Sequence, residues 1–218
     1  MKKLFGFIMS FMVAIMLIGC QCSGNNQGAT TGTGFTAATD SIAPIVVERV
    51  IAVDRQDMYM NTRENTQNYR WYETGVQLKD FLDEENDGSI DMVVNVFQAI
   101  EGDTLSFDTY VVKYQHFADG TTAKDAVHGF WIEDFPLNDE VIKISFQEAY
   151  ERVMAVNMPK PHSRQVVLRK QVAPIDANPQ WIFGNLKSQI YVDAVTGEVS
   201  AKNPAFPVQL GMPLGEWP

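Results

Sequence analysis

An amphipathic helix in the last third of the sequence constrains the fold most, because one of its sides needs an apolar partner. Ser145 and Glu148 have the spacing of a capping box, in which each side chain bonds the backbone amide of the other residue, so the helix is predicted to begin at Ser145. Pro159 and Pro161 cannot continue it. Apolar residues recur every three or four positions and share one side of the helix, opposite a polar side: Phe146, Ala149, Tyr150, Val153 and Met154 against Gln147, Glu151 and Arg152.

Three runs with strand character follow this helix and offer a surface that could cover it: residues 165–172, 181–183 and 189–192. In the first run Val166, Leu168 and Val172 share one side. The third run leads into a turn at residues 193–197, where Gly197 can adopt a positive φ at little cost before the chain returns as another strand. These patterns predict an α+β fold in which the helix packs on one face of an antiparallel sheet.

The same residues resemble a PepSY-type domain. The resemblance is carried by S-x-x-E-A at Ser145, Glu148 and Ala149, and by the stretch YVDAVTGEV from Tyr191 to Val199. It implies a helix packed on a small antiparallel sheet, as in secreted or envelope proteins and in the propeptides of thermolysin-type peptidases. It also implies a binding or inhibitory role rather than catalysis.

Residues 1–19 have the pattern of a bacterial lipoprotein signal peptide. Lys2 and Lys3 precede an apolar run of about 15 residues, which is shorter than the roughly 20 that span a bilayer. The sequence LIGC, ending at Cys20, resembles the lipobox of bacterial lipoproteins, in which the cysteine is lipidated and becomes the first residue. We therefore expect a lipid on Cys20 that anchors the protein to a membrane of the cell envelope, facing the periplasm or the cell exterior. An ordinary signal peptide that contains a cysteine is the alternative.

Residues 20–40 are predicted to be a flexible tether between the lipid and the folded part. The segment is rich in Gly, Ser, Thr and Asn and cannot bury enough apolar surface to offset the entropy lost on ordering. Cys22 is the only other cysteine. If Cys20 carries the lipid, Cys22 has no partner in the chain, and the folded part contains no disulfide.

The charge of the chain excludes some partners. Without Lys2 and Lys3 the chain has 15 basic residues against 27 acidic ones, a net charge near −12. Nucleic acids and anionic lipid head groups would be repelled by such a surface. A protein or peptide partner remains compatible with it, in addition to the membrane reached through the lipid on Cys20.

The folded part is predicted to comprise a mostly antiparallel β region, residues 41–144, and the PepSY-like unit, residues 145–218. Residues 45–53 are β-branched and most simply a strand, although Pro44 suits the start of a helix as well. Residues 54–68 are predicted to form an irregular segment with a short helical piece, and residues 75–82 are predicted to form a short helix. Strand patterns follow at residues 90–100, 105–117, 127–135 and 141–144. The sequence leaves open whether the two parts share one sheet.

Residues 83–91 have part of the spacing of a calcium loop. Asp83, Glu85 and Asp87 fall at ligand positions of an EF-hand, and Gly88 falls at its sharp turn. The twelfth position, which should be a bidentate glutamate, is Val94, and a strand pattern replaces the second helix. We predict an acidic, solvated turn without a metal, with calcium as the alternative.

The sequence contains no convincing catalytic constellation. His116, His128 and His162 lack the spacing of a helical metal pair, and the G-x-S-x-G, H-E-x-x-H and phosphate-loop motifs are absent. Paired carboxylates could still converge in space, with Asp134 and Asp139 among the candidates. We therefore predict a non-catalytic protein without a cofactor.

Three functional hypotheses follow. The first is a protein-binding, peptide-binding or peptidase-inhibitory module that uses a sheet edge or loops, and a long unpaired edge would favour it. The second is a structural or assembly lipoprotein of an envelope complex. The third is a glycan-binding accessory lipoprotein that uses an exposed row of aromatic residues, with Trp71, Trp131 and Trp181 as candidates. Trp71 also belongs to a cluster with Tyr69 and Tyr72, for which core packing is the alternative.

Overall fold

A strand near the start of the folded part, Tyr69–Leu78, joins the two predicted regions of the chain into one sheet. The computed structural model describes residues 43–61, 69–101, 108–172, 177–185 and 187–202. Within these residues two helices and nine strands form, so the predicted α+β class with an antiparallel sheet is confirmed. In chain order they are α1 Val47–Asn61, β1 Tyr69–Leu78, β2 Ile90–Glu101, β3 Asp108–Phe117, β4 Thr122–His128, β5 Asp134–Phe135, α2 Phe146–Ala155, β6 Gln165–Gln171, β7 Gln180–Asn185, β8 Ser188–Asp193 and β9 Val199–Ser200.

Eight strands follow one another across the sheet in the order β4-β3-β2-β1-β6-β7-β8-β9, and every neighbouring pair is antiparallel. The short strand β5 lies beside the end of β6. Because β1 pairs with β2 on one side and with β6 on the other, the strands before and after α2 belong to a single sheet. This answers the question that the sequence leaves open.

Both helices pack on the same face of the sheet, which we call the helix face. Residues directly opposite in neighbouring strands point to the same side, and a row of such partners runs from Tyr114 through Asn95, Thr74 and Leu168 to Trp181. The α1 side chain Asp54 bonds Asn95, and the α2 side chain Phe146 meets Trp181 edge to face at 5.7 Å between ring centroids. The largest fully buried side chains of the core include Phe97, Leu78, Leu168, Ile190 and Phe183.

The prediction for α2 is confirmed. Ser145 is the N-cap, with the reciprocal bonds to Glu148 that define a capping box. The buried side is the predicted one, formed by Phe146, Ala149, Tyr150 and Val153, and the fifth predicted residue, Met154, is half-buried against the core. A second carboxylate also accepts a hydrogen bond at the start of this helix, because the Phe146 N–H donates to Glu48 of α1 at 2.7 Å. The contact therefore joins the two helices at a terminus where the helix dipole favours negative charge.

The prediction of a strand at residues 45–53 is wrong, because α1 begins at Val47 and continues to Asn61. Its buried positions are Val47, Ile51, Asp54 and Met58, at the three-and-four spacing of a helix side. The polar member of this series, Asp54, interrupts the apolar pattern. Val46, Val50 and Val53 are not among the buried positions, and they give the segment its β-branched character.

Three further predictions need correction. Residues 75–78 belong to β1 and not to a short helix, since their side chains alternate between the two faces. The predicted strand at residues 127–135 is interrupted between β4 and β5, where Gly129 has a φ of 151°. Residues 141–144 form a turn and an irregular segment, because the N–H groups of Lys143 and Ile144 both donate to Ala194 O rather than to a strand partner.

The turn before β9 forms as predicted. Gly197 has a φ of 78°, and its N–H donates to Asp193 O at 2.8 Å. The Asp193 carboxylate accepts from the N–H groups of Val195 and Thr196, both at 2.8 Å. Burial, the largest single effect, raises the pKa of Asp193, but hydrogen bonds from Thr196 N–H, the Asn178 side chain and Val195 N–H together lower it below its ordinary value.

Candidate functional site

The strand β4 forms one edge of the sheet and is exposed along its whole length. All of its residues are solvent-exposed, and in the described part of the chain β3 is its only strand partner. The opposite edge is shorter, because β9 has two residues. An exposed edge strand presents unpaired backbone groups that another chain can use. The long unpaired edge that favours a protein-binding or peptide-binding module is therefore β4.

The register of β4 shows which backbone groups point outward. Its two flanking bonds to β3 run from Phe117 N–H to Thr121 O and from Gly129 N–H to Thr109 O, both at 2.9 Å. Because hydrogen-bonded and non-hydrogen-bonded pairs alternate in an antiparallel ladder, the intervening β4 residues 123, 125 and 127 also bond β3. The remaining residues direct their N–H and C=O groups away from the sheet: Thr122, Lys124, Ala126 and His128.

Exposed apolar side chains lie at the end of this edge. Val127 of β4 is 58% exposed, and the segment after β4 carries Phe130 at 58% and Ile132 at 81%. Between them Trp131 turns inward, because its backbone N–H donates to the Gln98 side chain at 3.4 Å and its ring lies 5.6 Å from the Lys113 ammonium group. The backbone edge is therefore next to an apolar surface formed by Val127, Phe130 and Ile132, which we call the apolar rim.

A buried polar network fastens α1 to the helix face. Asp54, only 2% exposed, accepts from the Asn95 amide at 2.7 Å, and Asn95 accepts from Thr74 at 2.6 Å. Trp71 donates its indole N–H to Thr74 at 3.1 Å. His116 lies 2.9 Å from Asp54. Burial raises the pKa of Asp54, while its bonds to Asn95 and His116 oppose the rise.

A second contact group extends this network towards β4. Asp57 of α1 accepts from the Tyr114 hydroxyl and from Lys124 of β4, the latter at 2.8 Å. The Lys124 ammonium group also lies 4.8 Å from the Tyr114 ring. Burial and the neighbouring carboxylate raise the pKa of Tyr114 well above its ordinary value. Through Asp57, these contacts join α1 to β3 and to the edge strand β4.

A charged cluster lies on the opposite face of the sheet. In register, one row across the strands runs from Lys113 past Val96 and Glu73 to Arg169. Asp134 of β5 lies over it, with its carboxylate 2.7 Å from Arg169 Nε as an ion pair and 3.2 Å from the indole nitrogen of Trp131. The Arg169 and Asp134 atoms of this close pair lack the alignment of a hydrogen bond. Burial, then the charge of Asp134, raises the pKa of Glu73 to about 7.

The structure places the residues singled out in the sequence as follows. Of the candidate carboxylates, Asp134 converges with Glu73, whereas Asp139 pairs with Arg55 elsewhere. His162 lies against Asp83 at 2.9 Å, and His128 lies 4.0 Å from the Tyr110 ring, so the three histidines have separate partners. Cys20 and Cys22 lie outside the described residues.

The three candidate tryptophans do not form an exposed row. Trp71 is 5% exposed and Trp181 1% exposed, and both lie on the helix face of the sheet. Trp131 lies on the opposite face. The alternative of core packing is therefore correct for Trp71, and these three residues do not form the exposed aromatic row that would favour a glycan-binding platform.

The acidic turn at residues 83–91 uses its polar groups within the chain. Hydrogen bonds from Ser89 lower the pKa of Asp87, and Asn86 donates to Phe81 O at 2.9 Å. The Tyr150 hydroxyl of α2 also donates to Asn86 O at 3.1 Å. Among the residues with a described position, no group of three His, Cys, Asp or Glu side chains is arranged to hold a metal ion.

Comparisons with known proteins add no identification. No family model, curated protein or solved structure matches this chain. Across the described ranges, no helix combines the length and the apolar composition that crossing a bilayer requires.

Proposed function

We propose that this chain is a non-catalytic lipoprotein of the bacterial envelope that binds an extended segment of a partner protein as an additional strand on β4. The observation that carries the proposal is an edge strand of seven residues, all exposed, with outward backbone groups at alternate positions. Cys20 would hold the protein at the membrane through its lipid, and residues 20–40 would let the domain move relative to it.

The apolar rim indicates the chemistry of the partner. Strand addition gives affinity through main-chain hydrogen bonds and specificity through alternate side chains. Val127 points to the opposite face of the sheet, so the partner residues that share this face would meet Val127, and the exposed Phe130 and Ile132 follow in the next segment of the chain. We therefore expect an extended partner segment with apolar side chains at every second position. This role agrees with the binding or inhibitory function that the PepSY resemblance implies.

A proline substitution at an outward position tests the proposal. Ala126→Pro removes one outward N–H and places a ring at the edge, whereas it removes no bond to β3. Ala126→Ser is the matched control because it keeps the N–H. Peptides selected from a display library for binding to the wild-type domain should bind Ala126→Ser normally. They should bind Ala126→Pro about tenfold more weakly or worse, a change of about 1.4 kcal/mol.

Two results would contradict this function. One is a set of selected peptides that bind Ala126→Pro as tightly as the wild-type protein, since their site would then lie elsewhere. The other is a library that yields no binder competing at β4. A change of Val127 to aspartate provides a second probe, because it alters the apolar rim and leaves the backbone groups of the edge in place.

A further inference from the structure

A cleft on the helix face has the character of a small-molecule site, and nothing in the strand-addition function uses it. It has a volume of about 270 Å³ and lies between α1, the segment before α2 and the sheet. Apolar side chains form its inner wall: Ile51, Trp71, Leu168 and Trp181. Polar side chains reach its mouth: Glu48, Arg55, Asp139 and Lys143. Ligand sites in proteins typically combine such an apolar wall with a few convergent polar groups.

The inner wall offers no indole donor to a ligand. Trp181 donates its indole N–H to Ile144 O at 2.9 Å, and Trp71 donates to Glu73 O and Thr74, both at 3.1 Å. The part of a ligand that enters the cleft therefore meets hydrocarbon and aromatic surface. An alkyl chain or an aromatic ring would suit it, whereas a sugar would leave buried hydroxyls without partners.

An ion pair lines the cleft, and a ligand could exchange with one of its partners. Arg55 of α1 pairs with Asp139, and their side chains are 32% and 50% exposed, respectively. A second cavity of about 260 Å³ is also lined by Arg55, Trp71 and Asp139, so the pair lies where the two cavities meet. Arg55 comes from a helix, whereas Asp139 lies in a turn after β5. Asp139 is therefore the partner that can move away with less disturbance of the surrounding backbone.

The remaining charges at the mouth favour an anion once Asp139 has moved. Glu48 is already bonded to the Phe146 N–H at the start of α2. Arg55 would then face the cleft without its carboxylate, and a planar guanidinium group matches a carboxylate through two parallel hydrogen bonds. Lys143 would add to the positive charge.

We propose that this cleft binds a monocarboxylate with an apolar chain or ring, whose carboxylate replaces that of Asp139 on Arg55. The apolar part lies against Trp71 and Trp181. The site is separate from β4 and does not depend on the proposed strand addition.

Titration with sodium octanoate, followed by NMR of the indole N–H signals, tests the site. Octanoate should shift the signals of Trp71 and Trp181 and leave that of Trp131, on the opposite face, unchanged. Octylammonium, with the same chain and the opposite charge, should bind at least about tenfold more weakly. Arg55→Gln should weaken octanoate binding by a similar factor. Asp139→Asn should strengthen it severalfold, because the competing carboxylate is gone.

Arg49→Gln is the matched control, since Arg49 is an exposed arginine of the same helix that does not line the cleft. It should bind octanoate like the wild-type protein. The proposal is overturned if octanoate shifts neither signal, if octylammonium binds as tightly, or if Asp139→Asn weakens binding. It is also overturned if Arg55→Gln keeps wild-type affinity. Thermal midpoints of the variants check that each is folded. They should lie close to that of the wild-type protein, because an exposed ion pair contributes little to stability.

Discussion

Replacing Glu73 by glutamine should remove a pH dependence from the stability of the fold. Burial and the charge of Asp134 raise the pKa of Glu73 from 4.5 to about 7. A carboxyl group with a raised pKa in the folded state stabilises the fold below its unfolded pKa, and this contribution is lost as the pH rises through the folded pKa. Glutamine has nearly the same shape and stays uncharged, so the loss should disappear.

The size of the effect follows from the shift in the Glu73 pKa. One pKa unit corresponds to about 1.4 kcal/mol, so a rise from 4.5 to about 7 is worth about 3 kcal/mol over the full titration. Between pH 5 and pH 8 we expect the free energy of unfolding of the wild-type protein to fall by about 2.5 kcal/mol relative to that of Glu73→Gln. Arg169 and Lys113 attract the charged form and Glu133 repels it, and the pKa of about 7 already includes their effects.

Urea denaturation at several pH values between 5 and 8, at constant ionic strength, measures this difference. Glu84→Gln is the control, because it removes an exposed carboxyl group from the turn after β1. Its pH profile should follow that of the wild-type protein, whereas Glu73→Gln should become the more stable protein as the pH rises. Parallel profiles for Glu73→Gln and the wild-type protein would refute the reasoning about the cluster on the opposite face.

Three further predictions concern the core, the anchor and the acidic turn. Phe146→Ala should lower the free energy of unfolding by about 3 to 5 kcal/mol through lost burial and the cavity left behind. Gln147→Ala on the exposed side should lower it by less than about 1 kcal/mol in the same urea assay. Equal losses would mean that the buried side is misassigned. Cys20→Ser should release the protein from the membrane fraction and block maturation of the amino terminus, and an unchanged membrane fraction would count against lipidation. A chelator should leave the thermal midpoint unchanged, and a rise of several degrees on adding millimolar calcium would mean that residues 83–91 bind the ion.

The elements that could be predicted from the sequence are those whose side chains repeat with a clear period. In α2 the capping box and the apolar side agree, and in β2 and β3 the alternation extends over long strands. The α1 pattern is ambiguous, because one of its buried positions is Asp54, whose partners Asn95 and His116 lie far away in the sequence. A polar residue at a helical position reads as exposed unless its partner is known.

The candidate binding edge could not be predicted for a related reason. In β4 both faces are exposed, so its residues need not alternate between apolar and polar side chains, and the segment TAKDAVH has no strand period. The cluster around Glu73 and Asp134 depends on β5 crossing to the end of β6, which residue spacing does not reveal. The sequence could raise Asp134 as a carboxylate candidate, but its partner became clear only from the register of β1 and β6.

Amide hydrogen exchange on β4 tests the central claim most directly. In the free domain the N–H groups of residues 123, 125 and 127 bond β3 and should exchange slowly, whereas those of the outward residues should exchange fast. A selected peptide bound as an added strand should slow exchange at Thr122, Lys124, Ala126 and His128. Protection confined to these alternate positions is the predicted result. Binding that leaves all four of them in fast exchange would contradict the claim that β4 is the binding edge.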